Sequence, residues 1–310
     1  MLNHLKIFFI SFSLFIIGFF SISFKINAQQ KSVFTQYMFN GLAINPAYAG
    51  SQNILNATVF YRKQWVGVEG APNTQTASIH SSTKKKRVGL GIFIMRDEIG
   101  VHSDLNLYAS YSYKIKVSRK AILSMGVQGG FNNLKSNYDK LNIRNPGDPV
   151  FQSDNKWSPN FGAGLYYYVA NKAYVGFSVP YIIKSSVLPK DLDAIGRQAR
   201  YYLLTAGYLF PLSPDLKFKP STLIRMEEGA PLGMDLNSTF ILKEFIFLGY
   251  SYRSSDSMSF LAQIQLNPNF QIGYAYDLTV SSLAKHSKGS HEFLLNYRIN
   301  LFPEKCATYF

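Results

Sequence analysis

Apolar and polar residues alternate with a period of two along most of this chain, in short segments separated by turn residues. In the stretch HEFLLNYRINLF, the apolar residues Phe293, Leu295 and Tyr297 occupy every second position, and polar residues such as Asn296 lie between them. The stretches at 104–117 and 269–277 follow the same pattern. A period of two places successive side chains on opposite faces of a sheet, so the pattern predicts strands.

Marking every such segment gives about fourteen predicted strands, an even number, as single-chain bacterial outer-membrane barrels have. The predicted strands lie at 54–68, 73–82, 87–96, 104–117, 120–133, 158–170, 173–183, 199–210, 215–226, 232–243, 245–254, 258–267, 269–277 and 290–301.

The connections between these strands sort by length. Every second connection is tight, with the sequences STKKK, SR, NK, SPD, KE and NPN, whereas the others include long stretches at 134–157, 184–198 and 278–289. Short periplasmic turns and longer extracellular loops are the asymmetry of an outer-membrane barrel. The sequence therefore predicts an all-β fold, a transmembrane antiparallel β-barrel whose long loops face outward.

The alternative fold is a soluble β-sandwich. Clustered tyrosines at 166–168 and 201–202 count against it, because tyrosine concentrates where a membrane meets water. The composition of 21 Tyr, 25 Phe and only 16% charged residues also suits a barrel wall that is apolar on one side.

The formal net charge of +14 admits nucleic-acid binding as one interpretation. The basic residues are scattered, however, and an apolar amino-terminal stretch predicts export of the chain, so we expect no nucleic-acid partner. Attraction to acidic headgroups or to an anionic partner surface fits better, with outer-membrane lipid as an expected partner. The run KKKR at 84–87 is either a docking patch for an acidic partner or a solvated turn.

The amino-terminal sequence predicts a signal peptide at residues 1–28. Lys6 precedes an apolar core from Ile7 to about Phe24, and Ala28 is a small residue suited to cleavage. The alternative is an uncleaved anchor, since the apolar run is close to the length that spans a bilayer. The one cysteine, Cys306, excludes an intrachain disulfide and lies far from the cleavage site.

Catalytic and metal-binding patterns are missing from the sequence. HEFLL at His291 lacks the second histidine of a zinc-binding HExxH helix, and no GxSxG elbow, P-loop or Rossmann fingerprint occurs. We therefore expect no enzyme, no cofactor and no catalytic or metal-binding residues. Gly89 in GLGIF is a strand glycine that eases bending or close packing.

Two regions are candidates for interaction. The stretch 134–157 contains Phe151 and Trp157, which are expected to pack across the lumen or onto a partner, or to belong to a lid that folds inward. The second region is QYMFNGLAINPAYAG, residues 36–50, where Pro46 and Asn40-Gly41 disfavour a regular helix and small residues lie among aromatic ones.

Residues 34–52 are predicted to fold into the periplasmic mouth of the barrel as a partial plug. The alternatives are a short extra strand or a flexible leader. The motif residues expected to build the plug are Gln36, Tyr37, Asn40, Asn45, Pro46, Ala47, Tyr48 and Gly50. The predicted organisation is a signal peptide (1–28), a plug or lead-in (29–53), a barrel (54–302) and a tail (303–310).

Three stretches together resemble one family. FTQYMFNGLAINPAYAG (34–50), QIGYAYDLTVSSL (271–283) and GSHEFLLNYRI (289–299) are similar to the signature segments of the PorP/SprF family of type IX secretion and gliding-motility outer-membrane proteins. The extension after Phe302 departs from this pattern, because such barrels usually stop at an aromatic residue.

The resemblance implies a non-enzymatic barrel of the outer membrane, reached after signal-peptide cleavage near Ala28. Its implied partners are a secreted adhesin-like type IX cargo, bound through the cargo's C-terminal signal domain, and other outer-membrane or periplasmic secretion components. The alternative function is a passive channel or carrier for small solutes. The two functions place different demands on the lumen, which can be plugged in an anchoring protein but must be open or gated in a carrier.

Overall fold

The computed structural model describes residues 34–138, 154–183, 200–228, 230–254 and 256–301. Within these ranges the chain forms fourteen antiparallel strands, and Phe210–Pro211 continues the eighth beyond Leu209. The strands are β1 (Leu55–Lys63), β2 (Asn73–Ser82), β3 (Val88–Ile99), β4 (His102–Lys116), β5 (Ala121–Ser136), β6 (Asp154–Val169), β7 (Ala173–Val179), β8 (Tyr201–Tyr208), β9 (Leu216–Glu227), β10 (Gly233–Leu242), β11 (Ile246–Arg253), β12 (Ser257–Gln265), β13 (Phe270–Thr279) and β14 (Ser290–Ile299).

The strands form a closed ring. Each strand pairs with the next along the chain, and β14 returns to β1 in a ladder from Leu55↔Ile299 to Lys63↔His291. Closure leaves no unpaired sheet edge, which is the condition for a sheet to exist in lipid. The predicted barrel of about fourteen strands is confirmed.

Burial along the strands is reversed relative to a soluble protein. In β1, Thr58 and Arg62 are buried, whereas Val59 between them is 50% exposed. The outward face carries apolar side chains and the lumen carries polar ones, as in a transmembrane barrel. No helix among the described residues is long and apolar enough to cross a membrane.

Several strand ends differ from the predicted ones, among them those of β1, β5, β6 and β7, the last of which ends at Val179 and not at 183. The β5–β6 ladder extends to Ser136↔Asp154, so Leu134 and Trp157 are strand residues and not loop residues. Backbone pairing continues there after the apolar alternation has ended, so the hydrophobic pattern does not mark it. Strand β1 instead ends early, at Lys63, and Trp65 adopts a positive φ of 43°.

The two rims of the barrel differ in their connections. One rim, called the short-turn rim below, carries the tight connections 83–87, 117–120, 170–172, 212–215, 243–245 and 266–269. The opposite rim, called the long-loop rim, carries connections as long as 64–72 and 280–289, although 100–101 is also tight there.

Candidate functional site: the segment inside the barrel

Residues 34–53 form three short 3-10 turns, Tyr37–Phe39, Gly41–Ala43 and Pro46–Tyr48, before the chain enters β1. This stretch is called the lumen segment. Its hydrogen bonds reach strands all around the ring, through Arg62 of β1, Ser78 of β2, Ser112 of β4, Leu165 of β6, Ser178 of β7, Asn237 of β10, Arg253 of β11, Gln263 of β12, Asp277 of β13 and Glu292 of β14. A segment bonded to strands on every side of a closed ring lies inside it.

All eight predicted motif residues are buried in this segment. The segment also runs deeper than the expected position at the mouth. Thr35 bonds to Arg62, one residue from the long-loop end of β1, whereas Gly50 bonds to Lys114, near the short-turn end of β4. Asn56 of β1 bonds to Gln52 of the segment, and a strand rises about 3.3 Å per residue, so β1 runs alongside the segment for roughly 20 Å between Asn56 and Arg62.

The end of the lumen segment nearest the long-loop rim is held by charge. The backbone N–H groups of Thr35 and Gln36 each donate to one oxygen of the Glu292 carboxylate, both at 2.9 Å. Arg62 lies between Glu292 and Asp277, 2.8 Å from each carboxylate, and Asp277 accepts from the Thr35 hydroxyl at 2.7 Å. We call this group the carboxylate clamp.

A second charged cluster lines the wall beside the clamp. Asp235 lies 3.1 Å from Arg225 and 3.2 Å from Arg253. Arg253 also donates to the Phe34 carbonyl at 3.4 Å. Buried charges persist only when they are paired and hydrogen-bonded, and these groups meet that condition around the segment's first residues.

The other end of the segment is held mainly by close packing, beside the hydrogen bond from Lys114 to the Gly50 carbonyl. A Cβ at Gly126 of β5 would lie 2.3 Å from the Ala47 nitrogen, and a Cβ at Gly89 of β3 would lie 2.0 Å from the Ala49 carbonyl oxygen. Gly164 of β6 has its nearest neighbour, the Asn45 side chain, at 2.2 Å by the same measure. These three glycines, the glycine floor, let the segment pack directly on the wall, against its backbone at Gly126 and Gly89 and against the Asn45 side chain at Gly164.

Asn45 explains why the motif reads Asn-Pro. Its side-chain oxygen accepts from the Ala47 N–H at 2.9 Å and caps the third turn, where Pro46 occupies the first position. Its amide nitrogen donates to the Leu165 carbonyl at 2.9 Å. One side chain therefore both starts the turn and fastens it to β6.

Tyr48 lies at the centre of the aromatic packing. Its ring meets His80 and Tyr166 edge-on, both at 5.4 Å between centroids, and its hydroxyl accepts from Gln52 at 3.1 Å. Beyond it, Gly50 has a φ of +66°, which favours glycine, and its N–H donates to His80 at 3.2 Å.

A small cavity, of about 30 Å³ and with room for about two water molecules, lies beside the segment between Phe39, Lys219 and Gln271. Ligand pockets of drug-sized molecules are usually at least ten times larger.

The other candidate residues lie elsewhere. Trp157 is 57% exposed and shares the outward face of β6 with Phe161, so it does not pack across the lumen. Phe151 lies outside the described residues, as do the predicted signal peptide, Cys306 and the tail. No group of three or more His, Cys, Asp or Glu within the described ranges is placed to hold a metal ion.

The carboxylate clamp was missed by sequence reasoning. Arg62, Asp277 and Glu292 lie on three different strands, and each looks like an ordinary polar residue at a lumen-facing position. One sequence signal could have indicated the clamp: these three residues are charged, whereas most other lumen-facing residues of the same strands are neutral.

Comparisons with known proteins give one family and several solved structures. Solved structures that resemble the chain include a Pseudomonas aeruginosa FadL homologue (14% identity, 86% of this chain and 94% of that one, TM-score 0.46), the P. putida toluene transporter TodX (9%, 88% and 95%, TM-score 0.47) and KdgM porin (9%, 78% and 98%, TM-score 0.39). A search among curated proteins gives no match. The family described as "Type IX secretion system membrane protein PorP/SprF" matches residues 26–297. The chain therefore belongs to the PorP/SprF family, as an outer-membrane β-barrel of the type IX secretion system.

Proposed function

We propose that this protein is a non-enzymatic barrel of the type IX secretion and gliding apparatus that binds a secreted adhesin-like cargo through the cargo's C-terminal signal domain. It anchors that cargo at the cell surface or assists its export. Family membership supports a role in secretion, and a lumen occupied by a segment that is bonded to strands around the ring supports binding in preference to conduction.

The lumen segment acts in this proposal as a plug. Its buried turns occupy the space that a solute would need, and both of its ends are fastened to the wall. The surface left for a cargo is the rims and the loops. Trp157, exposed near the long-loop end of β6, and Phe151 in the adjoining connection remain the residues proposed to meet it.

Partner capture in cells tests the binding role. The tagged protein is cross-linked in intact cells and purified from outer membranes, and co-purifying proteins are identified by mass spectrometry. We expect a secreted protein carrying a type IX C-terminal domain, and we expect its capture to be lost when that domain is removed. Normal secretion and surface display of every such cargo after deletion of the barrel would contradict the proposal.

Conductance separates this function from the alternative, a passive channel or carrier. In planar bilayers we expect the wild-type barrel to be closed and a variant with a displaced segment, Gly126→Leu, to conduct. Gly129→Leu is the matched control, because Gly129 faces outward on the same strand, with the Phe161 ring as its nearest neighbour. A wild-type barrel that conducts solutes as well as Gly126→Leu does would favour the channel.

A further inference from the structure

The short-turn rim carries a concentrated patch of positive charge. The connections 83–87 and 117–120 are neighbours, because β3 pairs with β4 and the Lys114 N–H donates to the Arg87 carbonyl at 2.7 Å. The exposed cations that these turns and the end of β4 contribute, together called the basic rim patch, are Lys84, Lys85, Arg87, Lys116, Arg119 and Lys120.

The two turns and the described strand ends beside them contain no acidic residue. The sequence has no Asp or Glu at 70–96 or at 105–138, which covers both turns and the adjoining parts of the strands. The opposite side of the same rim is balanced: Lys217 pairs with Glu244, and Lys243 lies near Asp215, whose carbonyl accepts its N–H at 2.7 Å. Charge that served only to keep the turns in water would not need to be confined to one side.

The patch begins where the apolar outer face ends. Leu90, Ile115 and Val117 point outward and are 54%, 41% and 58% exposed, and the cations follow within a few residues on tight turns. Such turns cannot project far from the bilayer, so their ammonium and guanidinium groups lie at the height of the headgroups. Clusters of Lys and Arg next to a membrane-spanning segment attract anionic lipids.

A protein partner fits the patch less well. Stable protein interfaces have an apolar or aromatic core and are depleted in lysine there. The turn sequences TKKKR and VSRK offer no aromatic residue and only Val117, which belongs to the apolar face. The chemistry that matches this surface is a set of phosphate groups at a membrane surface.

We propose that the basic rim patch binds the phosphates of anionic phospholipid headgroups and selects such lipids for one side of the barrel's circumference. This site is separate from the lumen segment and from any cargo surface on the loops, and it does not depend on the proposed cargo role.

Native mass spectrometry of the detergent-solubilised protein tests the proposal, with dioleoylphosphatidylglycerol as the anionic probe and dioleoylphosphatidylcholine as the neutral one. The test variant is K84Q/K85Q/R87Q/R119Q/K120Q. The matched control removes five exposed cations near the long-loop rim, in K63Q/K135Q/K156Q/K285Q/K288Q. Because five cations near the anionic headgroups are lost, we expect the test variant to bind phosphatidylglycerol at least about tenfold less, with little change for phosphatidylcholine.

The control variant is expected to retain the wild-type preference for the anionic lipid. Equal loss in both variants, or no loss in the test variant, would overturn the proposal. A photo-cross-linker placed at Ser118 in cells gives a second readout: phospholipid adducts support the proposal, and a specific protein adduct in their place refutes it. Urea unfolding in vesicles checks that the test variant is folded, which its exposed substitutions should permit.

Discussion

The two ends of the lumen segment are held in place by different kinds of interaction. Near the long-loop rim, Thr35 and Gln36 are fixed by full charges on Glu292 and its partners. Near the short-turn rim, Ala47 is fixed by direct contact between its backbone and a glycine of the wall. The first arrangement depends on charge and desolvation, and the second depends on volume. A different kind of substitution should therefore be needed to detach each end of the segment from the wall.

The largest expected effect is at the carboxylate clamp. Glu292→Ala removes one of the two carboxylates that pair with Arg62 and leaves the Thr35 and Gln36 N–H groups without their acceptor. Breaking a buried ion pair costs about 3–5 kcal/mol, so we expect the free energy of unfolding to fall by that amount. Urea unfolding in lipid vesicles measures it.

Glu98→Ala is the matched control for the clamp. Glu98 also pairs with an arginine, Arg96, but their side chains are 40% and 54% exposed. Exposed pairs contribute about 0–1 kcal/mol, so this variant should unfold almost as the wild type does. Equal losses at Glu98 and Glu292 would mean that the clamp has no special role.

The next effect is at the glycine floor, where volume and not charge is changed. Gly126→Ala forces a methyl group against the Ala47 backbone, and overpacking of this kind costs about 1–3 kcal/mol. We expect the barrel to unfold earlier in urea and the lumen segment to become sensitive to protease, with cleavage near Tyr37 or Phe39.

Gly129→Ala separates steric displacement from a general loss of glycine. Its Cβ would meet only the Phe161 side chain, at 3.3 Å, on the outward face. Protection of the lumen segment should survive in this variant. If Gly126→Ala left the segment equally protected, the contact between Ala47 and β5 would not hold it in place.

Asn45→Ala is expected to have a smaller effect at the same end. It removes a cap, worth about 0.5–2 kcal/mol, and leaves the Leu165 carbonyl without one donor. Asn45→Asp keeps the acceptor for the Ala47 N–H but places a buried carboxylate against the Leu165 carbonyl, so it should cost at least as much stability as Asn45→Ala. Urea unfolding measures both losses, and no loss in either variant would mean that Asn45 does not attach the segment to the wall.

Tyr48→Phe should have the smallest effect near neutral pH, about 0.5–1.5 kcal/mol, because it removes one hydrogen bond from Gln52. Burial raises the pKa of the Tyr48 hydroxyl to about 12, above the ordinary value near 10. The folded state thus resists ionisation of this group, and its stability falls as pH rises from about 10 to 12. Tyr48→Phe should lose less stability across that range; an identical alkaline decline in both proteins would contradict this assignment.

The barrel could be predicted from the sequence because each strand is marked by a pattern within its own residues. Alternation fixes which face of each strand meets lipid, and one residue of slip would reverse every side chain, so strands such as 73–82 were predicted with their observed ends. The predicted bounds of the long connection, Leu134 and Trp157, were wrong because the β5–β6 ladder continues past the end of the apolar alternation.

The attachments of the lumen segment could not be predicted in the same way. Gly89 was expected to ease bending or close packing, and the structure assigns it to close packing, under Ala49. The segment itself has no charge that would point to its partners at Arg62, Asp277 and Glu292, which lie tens to hundreds of residues away. Such contacts are set by the closed ring and leave no local pattern.

The contact between Thr35 and Glu292 also constrains how the molecule assembles. It joins residues 257 positions apart, one before the first strand and one on the last. Contacts of such long sequence separation must overcome a large loss of chain entropy before they form. The lumen segment therefore reaches its final position only when β14 pairs with β1. Insertion of the segment and closure of the barrel then occur together, late in biogenesis.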